Sequence, residues 1–149
     1  MTESKPNIKF TVPFFAVTNM EESLKFYLDG LGFQLKNKWT PAGKIEWCWI
    51  ERDQVALMLQ EFHKSANHQA KSSGKKVEGV SICFQCEDAL ALYEEFIGRG
   101  IAPAEPFVGN NMWDVCLTDP DGYQLHFESV TDVPEETKYF EWKINQGSH

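Results

Sequence analysis

A chain that repeats its own pattern 68 residues later can fold into little other than two like modules. Val12, Leu24, Gly32, Cys48, Asp53 and Leu57 shifted by that offset land on Val80, Leu92, Gly100, Cys116, Asp121 and Leu125. Six identities are little better than chance, so the order of features carries the reading. Each half has an apolar strand-like run, an amphipathic segment ending just before Gly32-Phe33 or Gly100-Ile101, a second apolar stretch, a turn and a final alternating strand. The register needs no gap, and repetition on this scale sets the architecture.

Local signals fill in each half. Ile8 to Val17 is rich in strand-favouring Phe, Val and Thr, with Pro13 implying an edge or a kink. Asn19 can cap a helix from Met20 to Leu28, with Glu22 placed as in a capping box. Strands are predicted over 33–39, 44–50 and 54–62, so the first half reads βαβββ. Residues 63–77 carry lysines, serines and a glycine without hydrophobic period and read as a linker. The second half predicts a strand over 79–86, a helix over 87–99 and strands over 102–107, 112–117 and 123–128. Asp119-Pro-Asp-Gly122 is a turn. A C-terminal helix over 134–144 carries Tyr139, Phe140 and Trp142, which require burial on their own body or on a partner's.

Composition narrows the function classes. At 149 residues and 42% hydrophobic content the chain is the size of one globular domain. No apolar stretch has the length of a membrane span, and Met1 to Pro6 has no signal-peptide core, so the cytoplasm is the expected compartment. A net charge of −8 opposes nucleic-acid binding, which demands a basic footprint. In that compartment the four cysteines are expected as buried, inert thiols. Cys83 and Cys86 form a CxxC, but on a strand residues three apart point to opposite faces and cannot chelate together.

The run Val12-Pro-Phe-Phe-Ala-Val-Thr-Asn-Met-Glu-Glu-Ser-Leu-Lys-Phe-Tyr27, followed by Leu31-Gly-Phe33, resembles the opening of the vicinal oxygen chelate superfamily. That group holds glyoxalase I, extradiol dioxygenases, fosfomycin-resistance enzymes and bleomycin-resistance proteins. Asp119-Pro-Asp-Gly-Tyr-Gln-Leu-His-Phe-Glu128 is similar to its closing hairpin. The resemblance covers residues 8–129, as module one (8–62), the linker (63–77) and module two (78–129), with a tail over 130–149. It implies an α+β fold of two tandem βαβββ modules, whose curled mixed sheets enclose a cleft, plus a short C-terminal helical tail. It also implies a homodimer. Metal-dependent members ligate a divalent ion from the first and last strands of each module, positions that match Val12, Met58, Val80 and His126. Valine has no lone pair and a thioether suits soft ions, so no metal and no cofactor are expected there. His63, His68 and His149 lie in the linker and at the chain end.

Strand alternation groups the cleft neighbours. Phe10 and Phe14 flank Val12, Ala56 and Gln60 flank Met58, Ile82 and Phe84 join Val80, and Gln124 and Glu128 flank His126. Val55, Leu57, Leu59, Tyr123, Leu125 and Phe127 are then expected in the core. Trp47 and Trp49 share a strand face, and Trp39 and Trp113 fall on walls or rim. The expected ligand-binding set is Phe14, Trp47, Trp49, Met58, Gln60, Phe84, Trp113, His126 and Glu128. Its ligand is a small aromatic or cationic molecule, drawn by cation–π contact and by Glu46, Asp114 and Glu128. His126, oriented by Glu128, is the candidate for acid–base chemistry. The rival reading is a metal-dependent lyase or dioxygenase of glyoxalase or extradiol type. No nucleic acid or membrane partner is expected.

Overall fold

The computed structural model describes residues 5–62 and 76–147. Residues 63–75 of the linker expected over 63–77, with His63 and His68, lie outside the described residues, as does His149. The first module runs β1 (Phe14–Val17), α1 (Met20–Leu24), a π-helical turn (Lys25–Gly30), β2 (Gln34–Trp39), β3 (Trp47–Arg52) and β4 (Val55–Glu61). The second runs β5 (Ser81–Gln85), α2 (Ala89–Gly98), β6 (Phe107–Gly109), β7 (Met112–Thr118) and β8 (Gln124–Val130), and α3 (Tyr139–Gln146) closes the chain. The sheet orders are β1-β4-β3-β2 and β5-β8-β7-β6. Within each sheet the first and last strands of the module, β1/β4 and β5/β8, pair parallel and the rest antiparallel. The duplication predicted from sequence is thus present in topology.

Its register is not a single offset. The two N-caps, Asn19 and Asp88, are 69 apart, and each accepts a backbone N–H three residues on at 3.1 Å. The left-handed glycines Gly32 (φ +79°) and Gly100 (φ +92°) are 68 apart. Module one therefore holds one more residue between cap and glycine. It is absorbed by the π turn, in which Leu31 N–H reaches back five residues to Phe26 C=O at 2.9 Å. The third strands shift again: buried Cys48 corresponds to Val115 rather than to Cys116, as their partners Leu59 and Phe127 show. The cause is the connection, a two-residue turn after Arg52 and a five-residue Asp119–Tyr123 loop after Thr118.

Several elements are shorter than their hydrophobic runs. Pro13 has no N–H to donate, so β1 begins at Phe14 although the Pro13 carbonyl still accepts from Met58 N–H at 2.9 Å. Pro103 and Pro106 likewise leave only Phe107 of the strand expected over 102–107, and β6 runs from there to Gly109. Val55 sits at the hairpin turn and is 41% exposed, so its expected core place is not realised.

The core lies between the sheets and their helices. Phe15, Val17, Ile50, Leu57 and Leu59 meet Met20 and Tyr27 in one module, and Phe84, Val115, Leu125 and Phe127 meet Tyr93 and Phe96 in the other. Burial of each large side chain contributes about 1.5–3 kcal/mol. The modules join on this helix side. Tyr123 stacks on Phe15 at 4.2 Å. Tyr27 hydroxyl donates to Asp119 at 2.7 Å, Thr18 hydroxyl donates to Asp121 at 2.7 Å, and Arg52 clasps Glu95 through two 2.8 Å bonds. Gly30 packs tightly at the seam: a Cβ there would come within 2.5 Å of Ile101 Cδ1 and displace that side chain. With the join made on that side, the sheets are open rather than curled around a common cleft. Helix α3 folds back on its own body, with Trp142 and Tyr139 edge-on to Trp113 at 5.3 and 6.1 Å.

Candidate functional site

Among the described residues, alternation leaves each sheet a face that no helix covers, and the two faces differ in chemistry. On the first sheet the cross-strand register aligns Phe14, Met58, Trp49 and Asn37 in one row. Ala16, Gln60, Trp47 and Trp39 form the next row. Residues between them, such as Phe15, Leu59 and Cys48, are buried on the opposite side. The result is an aromatic floor of three tryptophans and Phe14, and Trp49 Nε1–H donates to Glu51 at 2.7 Å. Direct cross-strand neighbours sit about 5 Å apart, so these rings are in reach of one ligand.

The second sheet presents polar groups instead. Cys83, His126 and Cys116 form one row and Gln85, Glu128 and Asp114 the next. His126 Nδ1 lies 3.0 and 3.2 Å from the two Asp114 carboxylate oxygens and 3.0 Å from Cys116 Sγ. Glu128 accepts from Gln85 Nε2 at 2.9 Å, so Asp114 and not Glu128 orients the imidazole. Burial and the neighbouring Asp114 charge push the Cys116 thiol up to about 11. A thiol so shifted is the reverse of an activated nucleophile. The ring geometry agrees: carboxylate and thiol meet the same nitrogen, whereas a relay needs them on opposite nitrogens.

The structure brings Phe14, Trp47, Trp49, Met58 and Gln60 together as one face, and His126 and Glu128 as part of the other. It removes two residues from the expected ligand set. Phe84 lies in the core, stacked on Phe127 at 4.6 Å, because the one-residue shift of β5 inverts the parity assumed from Val80. Ile82 follows it, and Ser81, Cys83 and Gln85 take the open face. Trp113 is 4% exposed and packs under α3. Cys83 is exposed rather than buried, whereas Cys86 lines a cavity on the helix side.

The same shift revises the positions that the resemblance implies for a metal. Val12 and Val80 precede their strands, and the first-strand partners of Met58 and His126 are Phe14 and Cys83. A phenyl ring cannot ligate and a thioether is a poor donor to hard or borderline ions, so this set does not fit the family's metal. Cys116 was missed, and Asp114, expected as a negative charge for a cationic ligand, was not foreseen as the partner of His126. Their signal was in the sequence, where they alternate with Trp113, Val115 and Leu117 along one strand.

Away from both faces, a cavity of about 550 Å³ opens on the helix-side seam between the modules. Phe33, Phe84 and Phe127 line it beside the Arg52–Glu95 pair, so Phe84 contributes there rather than to the aromatic floor.

Residues 9–127 match the family model described as the glyoxalase/bleomycin resistance protein/dioxygenase superfamily. No curated protein sequence matches the chain. Among solved structures, UcmS2 is similar at TM-score 0.66 and 17% identity, over 83% of this chain and 98% of its own. TnmS3, an antibiotic binding protein from Streptomyces sp. CB03234, has TM-score 0.61 and 18% identity over 85% and 100%. The bleomycin-binding protein of Streptomyces verticillus, solved with copper(II)-bleomycin, has TM-score 0.58 and 19% identity over 80% and 96%. At these identities the likeness is one of fold.

Proposed function

Since the chain belongs to the glyoxalase/bleomycin resistance protein/dioxygenase superfamily, we propose that it binds a small aromatic or cationic molecule, without a metal, on the aromatic face of its first sheet. The observation that carries this reading is the pair of rows Phe14–Met58–Trp49 and Gln60–Trp47–Trp39. Flat indole rings give stacking and cation–π contacts, Gln60 gives a hydrogen-bonding group, and Glu51 beside Trp49 gives negative charge. The net charge of −8 favours cations at longer range. Two structural neighbours named for binding antibiotics accord with this use of the fold. A lyase or dioxygenase needs donors at the family positions, which Phe14 and Met58 do not supply.

The test is titration of the full chain with cationic aromatic antibiotics, bleomycin among them, followed by tryptophan fluorescence and calorimetry. Trp49→Ala and Trp47→Ala are each expected to weaken binding about tenfold, between the values of an exposed and a desolvated cation–π contact. Binding that survives both changes unaltered, or no binding across the panel, refutes the reading.

The protein acts as a homodimer in this reading, since Phe14 and Trp39 on the aromatic face are about half exposed in one chain. Sedimentation showing only monomer at working concentration would refute that. Among the described residues no helix is long and apolar enough to cross a membrane.

A further inference from the structure

The polar face of the second sheet holds a cluster that the ligand reading does not use. Asp114, Cys116 and His126 each offer one donor atom, and all three lie within 4.8 Å of one another. From these residues we infer that the protein has a transition-metal site of the zinc class on β7 and β8, independent of the aromatic floor. It is not the set implied by the family, which draws on the first and last strands of each module; two of these three ligands come from a third strand.

Three features support a cation here. First, one nitrogen faces too many partners: His126 Nδ1 carries at most one proton, yet three atoms of Asp114 and Cys116 lie within 3.2 Å of it. A divalent ion placed among them would take one lone pair from each of the three side chains. Second, the spacing suits it. Zn–S near 2.3 Å and Zn–N or Zn–O near 2.0–2.1 Å place tetrahedral ligand atoms about 3.3–3.6 Å apart. His126 Nδ1 lies 3.0 Å from both Asp114 Oδ1 and Cys116 Sγ, a few tenths of an ångström short of that range, and no pair in the cluster exceeds 4.8 Å. Third, the strands make the frame rigid: Cys116 and His126 are direct cross-strand partners, and Asp114 is two residues along the same face. Side chains that are partly buried hold their places without an ion.

The donor set selects the metal. Thiolate, imidazole and carboxylate together suit borderline ions such as Zn(II) and Co(II) and disfavour Mg(II) and Ca(II). Three protein ligands leave the fourth position to water. Cys83 is not needed: β8 separates its strand from β7. Two neighbouring-strand spacings put the backbones of Cys83 and Cys116 about 9.5 Å apart, which also rules out a disulfide between them.

The experiment is Co(II) titration of the reduced, chelator-stripped full chain, read by absorption and followed by Zn(II) competition. The expected result is one Co(II) per chain, with a thiolate-to-cobalt charge-transfer band and the strong d–d bands of a tetrahedral ion, displaced by Zn(II) and not by Mg(II). Cys116→Ser is expected to abolish the charge-transfer band and Cys83→Ser to leave it. Asp114→Asn is expected to weaken binding by at least about 100-fold, the upper range for loss of an outer-shell partner. Far-ultraviolet circular dichroism verifies each fold, and His126→Gln replaces Cys116→Ser if the latter does not fold. Absence of the band in the wild type, its survival in Cys116→Ser, or its loss in Cys83→Ser overturns the site. None of these readouts depends on whether an aromatic ligand binds the first sheet.

Discussion

Replacing Asp119 by Asn should change how stability depends on pH, and the direction is the informative part. Asp119 is 4% exposed and receives three hydrogen bonds: from Tyr27 hydroxyl at 2.7 Å and from the Asp121 and Tyr123 N–H groups at 2.9 and 2.8 Å. Three donors favour the carboxylate, yet burial outweighs them and, with the Asp121 charge, pushes the group from 3.8 up to about 6. The folded state then holds a proton between about pH 4 and pH 6 that the unfolded state has lost. Stability from this group therefore falls as pH rises through that window, and the penalty is complete above it. A shift of about two units at 1.36 kcal/mol each amounts to about 3 kcal/mol.

Asn keeps an oxygen for both backbone donors and offers its NH₂ to the Tyr27 oxygen, so the seam geometry can persist while the titration is removed. Urea unfolding of Asp119→Asn and wild type at pH 4, 5, 6 and 7 gives the difference in which other titrations cancel. The wild type is expected to lose about 2 kcal/mol relative to Asn between pH 4 and pH 7, the rest of the penalty falling below pH 4. A difference that stays flat, or one that moves in favour of the wild type as pH rises, would refute the reasoning; the latter would mean that the three hydrogen bonds outweigh burial.

Trp113→Ala should lower stability by about 3–5 kcal/mol, read by the same unfolding, because the ring is buried against Trp142 and Tyr139. It should leave first-sheet ligand affinity unchanged, and a selective loss of affinity would restore its expected binding role. Truncation after Ser129 removes the same packing from the other side. The two changes together should cost less than their sum, and strict additivity would mean that α3 does not cover Trp113.

The sequence carried most of the fold and about half of the chemistry. Period-2 alternation places Leu57, Leu59, Leu125 and Phe127 inward and Met58, Gln60, His126 and Glu128 outward, because side-chain direction in a strand is a local property. The capping role of Asn19 was legible for the same reason. Phe84 was not. Its face depends on whether β5 follows β1 at 68 or 69, and that depends on a residue hidden in a π turn more than fifty positions earlier. Trp113 read as a wall residue because nothing local shows that α3 returns to cover it.

The succession of strands and helices and the helix caps follow from periodicity and capping chemistry written along the chain, and the mixed sheets from the family resemblance. Which residues meet across the strands does not. The aromatic rows depend on the pairing of β1, β2, β3 and β4, and the Asp114–Cys116–His126 cluster depends on the β7–β8 register. That register is set by a five-residue loop whose Asp119 and Asp121 are anchored in the other module. Backbone direction is local and can be read residue by residue. Proximity across strands arises only when distant turns and seams have closed, so the two faces and their different chemistry belong to the tertiary structure.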